Sequence, residues 1–376
     1  MTGKQNRQSP ESEACIVHCV LFAVLAWAIV SGNCLADSGT TVRQPNIILL
    51  LIDDLGWSDV SCYGQRLWHT PNIDRLAAEG MKFTDAYAAS PVCSPTRAAI
   101  LSGKYPQRLH VTCHIGGGGN YKVPHDARVL PSESGSLSLA ETTIAEALKA
   151  GGYATAMIGK WHVGEHAREQ GFDASPCFAP GNGCKRFQGP ERRFMTDVKG
   201  DAAVQWIEQH SDEPFFLYFS THAVHTGIAA SKEYIEDHVK RGLPQSGPWN
   251  ATYAAYVQHV DENIGRILDK LETAGIADNT VVIFHSDNGG RGLDISRNDP
   301  LGGAKGQLYE GGIRVPTLIR WPGVTKPGSV CSVPIVSTDI YPTLLDIAGL
   351  PPRHQQHRDG ICLTPLLQGA KSLNRV

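Results

Sequence analysis

The feature that most constrains the fold is an apolar run near the start, Asn46-Ile47-Ile48-Leu49-Leu50-Leu51-Ile52, which stops abruptly at Asp53-Asp54-Leu55-Gly56. Continuous hydrophobicity, without alternation, is the pattern of a strand covered on both faces, as in the interior of a parallel sheet. Two adjacent acids at its carboxyl end stand where open α/β sheets place their ligands. A merely solvated loop would not need paired acids so close to a buried strand.

The same arrangement recurs along the chain. Tyr153 to Ile158 leads into Gly159-Lys160-Trp161-His162-Val163-Gly164, and Phe215 to Ser220 leads to His222 and His225. Thr280 to His285 ends in Ser286-Asp287-Asn288-Gly289-Gly290. Helical stretches lie between them: Thr70 to Ala77 with Gly80 as its stop, Ala140 to Ala150 stopped by Gly151-Gly152, about Thr196 to His210, and one capped by Asn250 that runs to about Ala274. A strand near Thr317 to Trp321 and a helix near Asp339 to Ala348 follow. Strand, loop and helix in repetition predict an α/β fold with a large, mostly parallel central sheet flanked by helices. Four strands that each deliver polar or charged groups at the carboxyl end point to an enzyme.

The stretch Ser90-Pro91-Val92-Cys93-Ser94-Pro95-Thr96-Arg97-Ala98-Ala99-Ile100-Leu101-Ser102-Gly103-Lys104 adds reactive chemistry. Thr96 onward reads as the first turn of a helix, with Pro95 tolerated at its start. Cys93 then sits at a helix N-terminus, where free N–H groups favour an anion. Arg97 adds a planar fork suited to tetrahedral oxyanions. A lone cysteine is ordinarily a buried structural thiol, but C-x-P-x-R followed by L-S-G-K is too specific for that. Asp53, Asp54, Asp287 and Asn288 offer only oxygen ligands, which suits Ca²⁺ or Mg²⁺ better than zinc. His162 and His166 have a zinc-like spacing without the His-Glu-x-x-His run that would support it.

These motifs, together with Thr70-Pro71-Asn72-Ile73-Asp74-Arg75-Leu76-Ala77 and the segment Gly303-Ala304-Lys305-Gly306-Gln307-Leu308-Tyr309-Glu310-Gly311-Gly312-Ile313-Arg314-Val315-Pro316, resemble the type I sulfatases. That family is formylglycine-dependent and alkaline-phosphatase-like in fold, and the resemblance runs from about Asn46 to about Gly369. It implies that a formylglycine-generating maturation enzyme oxidises Cys93 to Cα-formylglycine. The hydrated aldehyde would attack sulfur with one hydroxyl and expel sulfate by deprotonation of the other. It implies a calcium ion, with magnesium the lesser candidate, on Asp53, Asp54, Asp287 and Asn288 beside position 93. Arg97 would stabilise the hydrate and the carboxylates, and Lys160 and Lys305 would clamp the sulfate oxygens. His162 would assist the second hydroxyl, and His225 with Lys305 would protonate the leaving alcohol. His222 matches no fixed family position and is given a weaker, substrate-contacting role.

The implied reaction is hydrolysis of a sulfate monoester on a sulfated small molecule or, preferentially, a sulfated glycan, with sugar, sulfate position and oligomeric state left open. Phosphonate and phosphodiester hydrolases of the same superfamily share the C-x-P-x-R nucleophile, but a histidine would be expected where this chain has Asn288. A non-catalytic binder of sulfated glycans is the alternative from another class. The resemblance also implies a small antiparallel subdomain beyond Asp359 to Leu367, of which only Gln368 to Val376 remain. The expected layout is therefore a signal peptide over 1–36 and a C-terminally short catalytic domain over 37–376, with that subdomain missing.

At 376 residues and 41% hydrophobic composition, the chain can bury a large core. A net charge of −3 provides no basic stripe, so nucleic-acid binding has no electrostatic support. Cys15 to Val30 is strongly apolar but shorter than the about 20 residues of a bilayer span. With Lys4 and Arg7 before it and Cys34-Leu35-Ala36 after it, a secretory signal cleaved after Ala36 fits best, implying a secreted or periplasmic protein and no stable membrane span. A retained signal anchor is the alternative. Outside the signal and Cys93, six cysteines remain: Cys62, Cys113, Cys177, Cys184, Cys331 and Cys362. They could form three bridges, Cys177 with Cys184 first, or a mixture of bridges and free thiols.

Overall fold

Asn46–Ile52 forms β1, and every residue in it is buried. The computed structural model describes residues 1–2, 43–115, 135–164, 166–176, 194–292 and 295–375. The other strands are β2 (Met81–Phe83), β3 (Ala86–Tyr87), β4 (Ala154–Gly159), β5 (Phe215–Ser220), β6 (Thr280–Ser286), β7 (Thr317–Arg320), β8 (Ser329–Cys331) and β9 (Ile335–Val336). Seven of them make one sheet in the order β4-β5-β1-β6-β7-β2-β8, and β3 pairs with β9 apart from it. The pairs β4/β5, β5/β1 and β1/β6 are parallel, whereas β7 runs antiparallel to both β6 and β2. The four strands with chemistry at their ends are thus neighbours, and their carboxyl ends share one edge.

The longer helices are α1 (Pro71–Glu79), α2 (Cys93–Ser102), α3 (Ile144–Ala150), α4 (Met195–Gln209), α5 (Lys232–Lys240), α6 (Ala251–Thr273) and α7 (Ile340–Ile347). They cover both faces of the sheet. Ile48, Leu50 and Ile52 pack in a cluster with Ala203 and Ile207 of α4 and Ile264 and Leu268 of α6. Ile47, Leu49 and Leu51 pack in a second cluster with Ile100 of α2, Leu148 of α3 and Leu344 of α7. The period of two along β1 divides one apolar run between two cores, which is why that run shows no alternation. Burying a leucine or isoleucine side chain stabilises by about 1.5–3 kcal/mol.

Local signals set the helix ends. Asn250 caps α6 as expected, its side chain accepting from Tyr253 N–H at 3.0 Å. α3 begins at Ile144 and not near Ala140, because Thr143 and Glu146 form a capping box. α2 begins at Cys93, three residues earlier than expected, so Pro95 occupies its third position. That position also lacks an intrahelical partner for its N–H, so proline costs nothing there.

Cys62, Cys93, Cys113, Cys331 and Cys362 are free thiols, so the bridged alternative fails for four of the six candidates. Cys177, Cys184 and the apolar block Cys15 to Val30 lie outside the described residues. Gln44–Val376 is one compact unit, and Met1–Arg43 is a separate one. Among the described residues no helix is long and apolar enough to cross a membrane.

Candidate active site

α2 is buried along its whole length, Arg97 included. Its approach is fixed by Thr96, whose hydroxyl accepts from Ser90 N–H at 3.1 Å and donates to Ser90 C=O at 2.9 Å. Arg97 then reaches the ends of four strands. Its Nε donates to Asp287 Oδ2 at 2.9 Å, and its Nη2 lies 2.7 Å from the same oxygen. Its Nη1 donates to Lys160 C=O at 2.9 Å and to Ser220 Oγ at 2.5 Å. Asp53 Oδ1 is 3.6 Å from Nη2. This planar fork holds the sheet edge in register.

The segments after the strands are tied to one another. Asp53 N–H donates to Ala223 C=O at 3.2 Å and Val224 N–H to Asp53 C=O at 2.8 Å, which brings the His222–His225 stretch to β1. Gly289 N–H donates to Gly312 C=O at 2.9 Å and Lys305 N–H to Gly290 C=O at 3.0 Å, which draws the Lys305 loop over β6. Gly159 closes β4 at φ +120°, and a Cβ there would lie 1.7 Å from Ser220 C=O. The glycine lets Lys160 N–H donate to that same carbonyl at 2.7 Å. Asp54 and His162 both hold left-handed backbone, at φ 63° and 61°. Such strain is retained where surrounding contacts over-determine it.

Three carboxylates and three cations meet in this buried space. Lys160 Nζ pairs with Asp53 Oδ2 at 2.6 Å. Lys305 Nζ lies 2.6 and 2.7 Å from the two oxygens of Asp54 and 3.5 Å from Cys93 Sγ. Asn288 Nδ2 donates to Asp54 Oδ1 at 2.8 Å. Asp53, Cys93 and Asp287 offer ligand atoms within 4.8 Å of one another, and so do Asp54, Cys93 and His225. Two buried oxygens here, Asp53 Oδ1 and Asn288 Oδ1, lack a hydrogen-bond partner. Orphaned oxygens among hard donors fit a divalent cation of the calcium or magnesium type.

The environment sets the protonation states. Burial, followed by Asp53, pushes the Asp287 carboxyl up, a shift that a nearby dication would reverse. Burial and then Asp287 and Asp53 push the Cys93 thiol up to about 12, so helix position alone does not make it a thiolate. His162 Nε2 lies 2.8 Å from Ile115 C=O, so that nitrogen carries the proton and Nδ1 keeps its lone pair. Nδ1 is buried without a hydrogen-bond partner, and burial with Lys160 pushes the imidazole down to about 4. It is a neutral base with a free lone pair. His225 is half-buried, with Nε2 3.7 Å from Asp54 Oδ2 and Nδ1 beside Thr226 Oγ1 at 3.0 Å.

All the residues expected from the sequence therefore gather around one sheet edge: Asp53, Asp54, Cys93, Arg97, Lys160, His162, His222, His225, Asp287, Asn288 and Lys305. Lys160 and Lys305 differ from expectation in one respect, since their ammonium groups already pair with Asp53 and Asp54. Two participants were not anticipated. Ser220 orients Arg97, and its position as the last residue of β5 was the available signal. Lys199 of α4 meets His222, and its place on the Ala202, Ala203 and Trp206 face of the helix was the available signal.

A mostly parallel α/β sheet with clustered oxygen donors, a buried cysteine at a helix N-terminus, and Arg97, Lys160 and Lys305 gathered at its carboxyl edge matches an alkaline-phosphatase-like protein. The Sulfatase family model matches residues 45–350. The chain belongs to the sulfatase family, within its type I branch. It is 36% identical to human N-acetylgalactosamine-6-sulfatase over 366 residues, covering 87% of this chain and 66% of that protein. It is 33% identical to human arylsulfatase A over 385 residues, covering 89% of this chain and 70% of that protein. It thus spans about two thirds of the length of these relatives. The crystal structure of Ps i-CgsB in complex with k-i-k-neocarrahexaose superposes with a TM-score of 0.71 at 31% identity, covering 86% of this chain and 76% of the other.

Proposed function

We propose that the chain hydrolyses sulfate monoesters outside the cytoplasm, R–O–SO₃⁻ + H₂O giving R–OH + HSO₄⁻. One observation carries the reading: Cys93 stands at the head of a buried helix in a single cluster with Asp53 and Asp287, with Lys305 Nζ 3.5 Å from its sulfur. A formylglycine hydrate made from Cys93 by a maturation enzyme would supply the nucleophile, and a Ca²⁺ on Asp53, Asp54, Asp287 and Asn288 would polarise a sulfate oxygen. Lys160 and Lys305 bind the remaining sulfate oxygens, where negative charge spreads in the transition state. Arg97 holds Asp287 in place through its two contacts. His162 takes a proton at Nδ1, the nitrogen left free by its bond to Ile115. His225, beside Asp54, gives a proton to the leaving alcohol.

A sulfated glycan is the favoured substrate class. The support is similarity to a sulfatase named for N-acetylgalactosamine and to a protein crystallised with a neocarrahexaose. The catalytic domain is assigned to 37–376 and the export signal to 1–36, the latter on the apolar block Cys15 to Val30. The test is turnover of 4-methylumbelliferyl sulfate and of the phosphonate monoester 4-nitrophenyl phenylphosphonate by matured protein with Ca²⁺. Sulfate release lost in Cys93→Ala supports the reading. Phosphonate turnover that exceeds sulfate turnover, or no sulfate release from protein with verified formylglycine, rejects it.

A further inference from the structure

Lys199 lies on α4, is only 3% exposed, and has no part in the reaction just described. Its Nζ is 2.7 Å from Nδ1 of His222. An ammonium has donors and no acceptor, so Nδ1 accepts and the ring proton resides on Nε2. Burial pushes Lys199 down to about 8, with Asp53 opposing the shift, which leaves it an ammonium at neutral pH. His222 itself is exposed to solvent, and its C=O accepts from the N–H of His225 at 2.8 Å. The groups that act most strongly on its ring are Lys199, Lys160, Arg97 and His225. Partial removal from water and then Lys199, ahead of Lys160, Arg97 and His225, oppose a second proton on the ring, with the carboxylates of Asp53 and Asp54 lying behind Lys160 and His225.

We propose that Lys199 is a positioning residue that locks His222 as a neutral Nε2–H donor at the mouth of the sulfate site, where it reads an acceptor oxygen on the alcohol part of the substrate. The proposal rests on the sulfatase reading for its substrate and on the Lys199–His222 contact for its chemistry. A histidine in this state has no lone pair to offer and takes no second proton. It donates a hydrogen bond and shuttles nothing, unlike His162, whose Nδ1 stays open. A sugar hydroxyl or ring oxygen beside the sulfate ester satisfies such a donor, whereas a plain aryl sulfate has nothing there to accept it. His222 thereby favours a sugar over an aryl alcohol.

The test combines a spectroscopic and a kinetic reading on the matured, Ca²⁺-loaded chain. Long-range ¹H–¹⁵N correlation should show His222 as the neutral Nε2–H form at pH 6 in the wild type and in Lys199→Arg. In Lys199→Met the same ring should show mixed tautomers or charge. Kinetically, Lys199→Met and His222→Ala should each reduce the kcat/KM ratio of galactose 6-sulfate to 4-methylumbelliferyl sulfate about tenfold, the worth of one hydrogen bond, chiefly through KM. The double variant should be no worse than His222→Ala, because both changes remove one contact. His222→Gln, which keeps an N–H donor, should recover part of the loss. A charged or Nδ1–H His222 in the wild type, an unchanged tautomer in Lys199→Met, or fully additive kinetic losses would each overturn the proposal. If no sulfate ester turns over at all, the sulfatase reading fails, and the spectrum alone still decides whether Lys199 sets the tautomer.

Discussion

Replacing Arg97 by alanine is expected to cost more stability than any surface change on this molecule. The guanidinium is wholly buried and carries two contacts to Asp287, one to Lys160 C=O and one to Ser220 Oγ. Removing one partner of a buried ion pair costs about 3–5 kcal/mol, because the remaining charge stays desolvated. The Lys160 carbonyl loses a donor as well, adding about 1 kcal/mol. Arg97→Ala should therefore lose about 4–6 kcal/mol. Arg97→Lys keeps the charge without the fork and should lose less. The assay is urea unfolding followed by near-UV circular dichroism, run in chelator and again in Ca²⁺. A dication binding the Asp287 carboxylate, left without its guanidinium, should return part of the loss, so the variant should gain more from Ca²⁺ than the wild type. A loss below about 1.5 kcal/mol in chelator would refute the buried-charge argument. So would a deficit of the same size in both buffers.

Other outcomes follow from the same geometry. Co-expression with a formylglycine-generating enzyme should convert Cys93, seen by mass spectrometry as a loss of about 18 Da from its peptide, the change from a thiol carbon to an aldehyde; an unmodified thiol under those conditions would remove the nucleophile. Chelation should abolish turnover and Ca²⁺ or Mg²⁺ restore it, with Asp287→Ala losing metal and rate together; recovery with zinc alone would contradict the hard-oxygen assignment. His162 acts as a base only when neutral, and its imidazole is pushed down to about 4. Its neutral fraction persists as pH falls through the ordinary histidine range, so the acid limb of kcat should lie well below 6.5, and a limb at 6.5 would exclude it as the base. Gly159→Ala drives a methyl to within 1.7 Å of Ser220 C=O and should cost about 3 kcal/mol or more, measured as a fall in the urea midpoint.

Much of this architecture could be read from residue order, and the reasons are specific. β1, β5 and β6 are buried on both faces, so their hydrophobicity is continuous and their boundaries matched expectation within a residue. The acids and histidines that follow them were visible because polar groups next to such runs are costly unless used. What stayed hidden was cross-chain. The short strands β2, β3, β8 and β9 have two or three residues each, too few to show a period. The true start of α2 escaped because no capping side chain marks Val92. Pairing of Lys160 and Lys305 with Asp53 and Asp54 depends on contacts 107 and 251 residues apart. Lys199 was missed because its charge argues for solvent, although it lies at i, i+3, i+4 and i+7 spacing with the buried Ala202, Ala203 and Trp206.

The placement of β1 between β5 and β6 has a consequence for how the protein is made. Asn46 and Thr280, side by side in the sheet, are 234 residues apart in the chain. At ribosomal speeds of about 5–20 residues per second, β1 emerges roughly 10 to 50 s before β6 exists to cover its edge. Until β5 is made Ile47 to Ile52 is a short, uncharged, β-prone strand with two unpaired edges, and until β6 is made it still has one, the setting of an aggregation nucleus. The nascent chain therefore has greatest need of a holdase early in synthesis, long before its catalytic edge can assemble. Slowing translation between β1 and β6 should lower soluble yield, whereas slowing it after Arg320 should not.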